Sequence, residues 1–367
     1  MTATDLRVDP EPPVVSARDS GATPHRSARG PVLLATLTVG LLVACVAGAA
    51  FGAFDVAASD VVRTLAHHLG LADPVADPLV DDVLWEIRFP RVVLGVIVGA
   101  SLGCAGATMQ GTFANPLAEP GIIGVSSGAV LGAVFQIVSG VDPLGTWSLP
   151  AGAFLGGLVS VLAVYSSARA DGRTEVVTLV LTGVALNALL GAVIGLLTYF
   201  SDDEELRSIT FWTLGSIAQA TWPKVLAVLP LAIVGIAVAM RASRKLDLLA
   251  LGERSARHLG VRVERFRFAM LALTAVLTAS AVAVSGIVLF VGLVIPHLVR
   301  MIAGPAHRVL LPASALGGAT VLVVSDLAAR TMVAPAEIPL GVLTSLVGSP
   351  FFFWQLRRTR ATQGGWA

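Results

Sequence analysis

The chain has 367 residues, of which 13% are charged and 55% hydrophobic, with a net charge of +1 and a mean hydropathy of +0.81. An average soluble domain carries about 25% charged residues, and one soluble core cannot hide this much apolar surface, so lipid must be the solvent for most of it. A near-neutral chain has no electrostatic footprint for nucleic acid, and two cysteines, Cys45 and Cys104, with six scattered histidines leave no disulfide framework, metal spacing or cofactor motif.

Residues 1–30 are rich in Pro, Ser, Asp and Arg, lack apolar periodicity and read as a disordered cytoplasmic tail. A lipoprotein-like Leu42-Val43-Ala44-Cys45 box follows, but the apolar run continues to Phe54, so a cleaved signal is not expected. A bilayer core takes about 20 apolar helical residues. Ten spans of roughly that kind are predicted, together forming one ten-span membrane domain over 31–358 with a short cytoplasmic C-terminal tail at 359–367. They are 31–54, 90–111, 121–139, 149–167, 176–200, 222–240, 268–284, 287–302, 311–327 and 338–356. Unpaired backbone is not tolerated in hydrocarbon, so these are helices, and the fold class is an all-α polytopic membrane protein.

Orientation follows from the basic residues. With the N-terminus inside, only Arg63, Arg88, Arg91, Arg207, Lys224 and Arg330 of the 25 fall on the outer side, which predicts both termini in the cytoplasm. Trp85, Trp147, Trp212 and Trp222 near outer ends and Trp354 near an inner end fit an interfacial belt. Gly95, Gly99 and Gly103, and then Gly124, Gly128 and Gly132, recur every four residues and predict close helix contacts; ordinary bundle packing accounts for them.

Three segments carry functional expectations. The turn from Gln110 to Gly121 holds Asn115, Pro116 and Pro120, and irregular backbone near membrane depth lines a cavity or is buried in protein. Arg88 and Arg91 flank the second span and Arg330 closes the ninth, against the positive-inside trend; they either receive acidic groups of an external partner or snorkel, and Arg330 can pair with Asp326. Within the cytoplasmic segment 241–267, Leu251, Ser255, Ala256 and Leu259 share one face of a short helix. Glu253 and Arg257 pair on another face, Gly252 precedes them and Gly260 ends the helix. That helix suits either a groove on a partner or an anionic lipid surface. The two lysines, Lys224 and Lys245, follow no glycine-rich loop, so no P-loop is expected and the chain is not read as an enzyme. Mid-span carboxylates, the mark of an ion-coupled secondary transporter, are sparse.

From about residue 80 to 358 the chain resembles the FecCD family of binding-protein-dependent permeases. The resemblance rests on R-F-P-R at 88–91, N-P-L-A-E-P-G-I-I-G-V-S-S-G at 115–128 and A-L-G-E-R-S-A-R-H-L-G at 250–260. F-V-G-L-V-I-P-H-L-V-R at 290–300, H-R-V-L-L-P at 307–312 and A-E-I-P-L-G-V-L-T at 336–344 extend it, in the family's order. It implies a BtuC-like type II ABC importer permease fold in the bacterial plasma membrane. The permease would form a homo- or heterodimer around a pathway, with two cytoplasmic ATPase subunits and an extracytoplasmic substrate-binding protein. Leu251 to Gly260 would be the helix seated in the ATPase, and Arg88, Arg91 and Arg330 the sites that receive the binding protein's carboxylates. The cargo expected is an iron–siderophore complex, with cobalamin or haem as alternatives. The turn 171–175 does not match the family's gate sequence, and no gate residue is assigned there.

Overall fold

The computed structural model describes residues 25–52, 54, 56–170 and 173–363; residues 1–24, most of the expected N-terminal tail, lie outside the described residues, as do 364–367. Helix α1 spans His25–Ala50 and so starts inside the stretch expected to be a tail. Then come α2 (Ala58–His68), α3 (Pro78–Asp82), α4 (Phe89–Thr112), α5 (Val125–Ser139), α6 (Ser148–Ser167) and α7 (Val176–Tyr199). The second half comprises α8 (Asp203–Leu214), α9 (Trp222–Ala250), α10 (Glu253–His258), α11 (Val263–Ser285), α12 (Val291–Ala303), α13 (His307–Thr331) and α14 (Leu340–Gln363). Between α6 and α7, Arg169–Ala170 pairs antiparallel with Arg173–Thr174, a minimal hairpin across the turn for which no gate residue was assigned.

Each of the ten predicted spans has a helix at its place. Seven helical stretches among the described residues are long and apolar enough to cross a bilayer: Arg29–Ala50, Pro78–Thr112, Gly145–Ser167, Val176–Tyr199, Trp222–Ala250, Val263–Ser285 and His307–Thr331. Two others, α5 and α12, are shorter apolar helices. The expected third span is broken at its start: Pro120–Ile123 is a 3-10 turn, Gly124 takes φ +86°, and α5 begins at Val125. Helix α8 was not foreseen. Its polar first turn masks it in the composition, but Asp202 accepts from the backbone N–H groups of Glu204 and Glu205 while Glu205 reaches back to the Asp202 amide, a complete capping box.

The centre of the bundle is α4, packed on α13, α11, α9 and α12, with α1 lying outside α13. The expected glycine ridges are the contact surfaces. A methyl at Gly99 or Gly103 would overlap the main-chain oxygens of Gly318 and Ser314 on α13, and α5 meets α6 in the same way through Gly128 and Gly132 against Gly156 and Gly152. Backbones in contact exchange side-chain bulk for close van der Waals approach, the main source of helix association in lipid. Helix α7, by contrast, exposes Val177, Leu181, Val184, Leu189 and Leu196 along its length.

The bundle has two ends. The α2 end gathers α2, α3, the start of α4, the start of α9 and the last turn of α13. There the Trp222 indole N–H donates to the Trp85 carbonyl at 2.8 Å, and the Trp85 ring stacks on His68 at 3.7 Å. The α10 end gathers the ends of α4 and α9, the starts of α11 and α13, and α10 itself.

Candidate functional site

Helix α10 sits on the surface of its end of the bundle. Gly252 (φ +103°) and Gly260 (φ +84°) bracket it in backbone conformations that L side chains rarely adopt. Ala256 is fully buried against Leu249, Val261 and Val263, so this small residue anchors α10 to its own subunit. That corrects the expected grouping of Ala256 with the exposed face, since Leu251, Ser255 and Leu259 all face away from the bundle. Leu251 is 69% and Leu259 62% exposed, an apolar pair left uncovered by the described residues.

The expected Glu253–Arg257 pair is present at 2.9 Å. Sequence reasoning missed a second partner: Glu253 also accepts from Arg267, a buried guanidinium on α11 that reaches Glu264 as well. Its signal was weak, since Arg267 is one of eight basic residues between 241 and 267 and only the packing of α11 singles it out.

The expected pathway residues divide. Gln110 is buried and donates its amide to the Leu293 carbonyl on α12 at 3.2 Å. Pro120 is buried, and the Gly121 carbonyl accepts from the Asn187 amide on α7 at 3.2 Å. Asn115 and Pro116 are exposed, with the Asn115 side chain folded back on the Leu117 N–H at 2.9 Å. The turn therefore ties α4, α7 and α12 together through its two ends and exposes its middle. Glu119, unremarked in the sequence, lies partly buried against the backbone amide of Phe290, the left-handed residue that opens α12.

At the α2 end the three arginines expected to face a partner are engaged inside the subunit. Arg88 donates to the carbonyls of Ala49 (2.6 Å), Ala50 (2.7 Å) and Phe54, and so satisfies the orphaned C-terminus of α1. Arg91 holds Asp326 and Glu337 at 2.9 Å each. Arg330 reaches the Gly48 carbonyl and lies 3.7 Å from Asp326, the i−4 pairing anticipated from sequence. Arg88, Arg91 and Asp326 are buried, whereas Glu337, on the loop before α14, is 41% exposed. The hydrogen bonds from Arg91 hold the Glu337 carboxyl below the usual glutamate range. No group of three or more potential metal ligands occurs among the described residues.

The FecCD transport family model matches residues 40–358 of this chain. The hemin transport system permease HmuU of Yersinia pestis is 45% identical over 77% of this chain and 87% of its own length. The cobalamin import system permease BtuC of Halobacterium salinarum is 44% identical over 75% of this chain and 73% of its own. A solved metal-chelate type ABC transporter in an inward-facing conformation superposes with a TM-score of 0.79 at 34% identity, covering 89% of this chain and 99% of that one. The chain belongs to the FecCD family and is a multi-pass membrane permease subunit of a type II ABC importer.

Proposed function

We propose that this FecCD permease carries a bulky metal chelate by alternating access, that α10 seats in a cytoplasmic ATPase, and that two permease chains, identical or paralogous, enclose the pathway. The exposed Leu251 and Leu259, which flank the glycine-bracketed helix α10, are the observation that carries this reading. Among cargoes, a tetrapyrrole chelate, haem or cobalamin, now fits better than the iron–siderophore complex expected from sequence. Two relatives that cover most of their own length are named for those cargoes. Both termini are cytoplasmic in this reading, and the α2 end faces the binding protein. Arg88, Arg91 and Arg330 then meet its carboxylates only by exchange. Glu337, the exposed partner of Arg91, is the one that gives way.

The test is purification of the tagged chain from native membranes in mild detergent, followed by reconstitution with its co-purifying partners and uptake of hemin, cyanocobalamin and ferrichrome. A stoichiometric ATPase and uptake of hemin or cyanocobalamin are expected. Ferrichrome uptake alone restores the siderophore reading. A partnerless chain, reproduced across detergents and after cross-linking, removes the α10 assignment and favours an ion-coupled carrier.

A further inference from the structure

The residues that connect α10 to the rest of the subunit form a continuous line. Asp247 lies in the last turn of α9, just before the break at Leu251–Gly252 and the start of α10. Its Oδ1 accepts both the backbone N–H of His307 at 2.9 Å and the His307 Nδ1 proton at 2.7 Å. The N-cap of α13, Ala306, supplies no side-chain cap of its own. One helix therefore caps another: the carboxylate on α9 satisfies the first turn of α13, where a negative charge also favours the helix dipole.

His307 passes the contact on. Its ring is buried, and Nε2 has no hydrogen-bond partner among the described residues. The ring lies on Gly111, where a methyl would overlap Nε2. Gly111 follows Gln110, whose amide holds the Leu293 carbonyl of α12, and α4 ends one residue later at the turn that runs to Gly121. On its other side α10 is strutted to α11 through Glu253 and Arg267. A two-point hydrogen bond fixes direction as well as distance, so a displacement of the end of α9 must turn the start of α13, and the buried ring against bare backbone leaves no slack between α13 and α4.

We propose that Asp247 and His307 are the positioning pair that transmits movement of α10 to the turn between α4 and α5, an inference that rests on α10 being the ATPase seat. In this role the pair acts on neither nucleotide nor cargo directly. It works by making the N-terminus of α13 follow α9.

The experiment uses the permease–ATPase complex in lipid nanodiscs. Leu117, exposed in the turn, is replaced by cysteine as a reporter; Cys45 is changed to Ser and buried Cys104 is kept. The rate of reaction with a polar maleimide is measured with and without MgATP plus vanadate. With Asp247 intact, trapping should change the rate at least threefold. In Asp247→Ala the ratio should fall to about one while the ATPase still co-purifies and the unfolding temperature stays within a few degrees. Asp247→Asn, which keeps the accepting Oδ1, should restore the response. A preserved response in Asp247→Ala overturns the inference, as does a lost response in Asp247→Asn. Loss of the ATPase from Asp247→Ala alone would place the residue in the docking seat and also overturn it. If no ATPase accompanies the unaltered chain, the reading of α10 fails, and the inference falls with it.

Discussion

At the α2 end, buried Arg91 meets Asp326, whose side chain is 4% exposed; at the α10 end, buried Arg267 meets Glu253, 43% exposed, and Glu264, 29% exposed. The same kind of pair thus stands in two environments. With both partners out of water, the mutual attraction is strong, and each charge depends on its few protein partners, Glu337 besides Asp326 for Arg91 and Arg330 besides Arg91 for Asp326. With the carboxylate half in water, solvent can take over for Glu253 when the pair opens, and buried Arg267 still has Glu264, so this pair opens at less cost than one with both partners buried. One end is built as a clamp across α1, α4 and α13, and the other as a joint between α10 and α11. The difference suits a subunit that must hold shape on one side while being moved on the other.

The sharpest way to break this contrast is to remove the buried carboxylate. Asp326→Ala leaves Arg91 with only Glu337 and takes the carboxylate from beside Arg330, so it should cost about 3–5 kcal/mol. It should lower the unfolding temperature in detergent far more than Glu253→Ala does. Equal shifts for the two variants would erase the distinction between clamp and joint. The next largest effect belongs to the exposed leucines. Leu251→Asp and Leu259→Asp each forfeit an apolar contact of about 1.5–3 kcal/mol in the complex. Each should therefore weaken ATPase retention about tenfold or more while leaving thermal stability unchanged. A variant that unfolds earlier, with its partner still bound, would show those side chains packing within the subunit.

The bundle was legible in the sequence because lipid imposes a single rule, long apolar runs, and because glycine every fourth residue can only mean close packing in such a setting. Gly99 and Gly103 on Gly318 and Ser314 follow from that rule. The short helix at 251–260 was legible through its glycines and its i,i+4 charge pair. Ala256 was misplaced because a six-residue helix offers under two turns, too few for periodicity to choose which face meets the bundle. The arginines were read as outward-facing because charge at a span end usually snorkels or faces water. The partners of Arg88 and Arg91, the carbonyls of Ala49 and Ala50 and the carboxylates of Asp326 and Glu337, lie 38 to 246 residues away in the chain, whereas the Arg330–Asp326 pairing, four residues apart, was anticipated. The Asp247–His307 bond, 60 residues apart, was invisible for the same reason. Composition reports solvent, whereas these bonds report which ends of which helices meet.

Two smaller effects test the one exposed member of the clamp. If binding-protein carboxylates displace Glu337 from Arg91, then Glu337→Gln removes a competitor worth about 0.2–1 kcal/mol. Affinity for the binding protein, read by surface plasmon resonance on the nanodisc complex, should rise up to about fivefold. A fall in affinity would mean that Glu337 itself contacts the partner. The second effect is the pH dependence of the same pair. Arg91 lowers the folded-state pKa of Glu337 below its ordinary 4.5, so the carboxylate stabilises the fold fully above that ordinary value. The contribution fades as pH falls toward the depressed folded value, where the folded state also takes up the proton. The difference in unfolding temperature between the unaltered chain and Glu337→Gln should therefore be flat from pH 7 to about 5 and shrink below 4.5. Partial exposure keeps the whole effect small. A difference that grows on acidification would require a raised pKa and would take Glu337 out of contact with Arg91, leaving Asp326 as the sole carboxylate of the clamp.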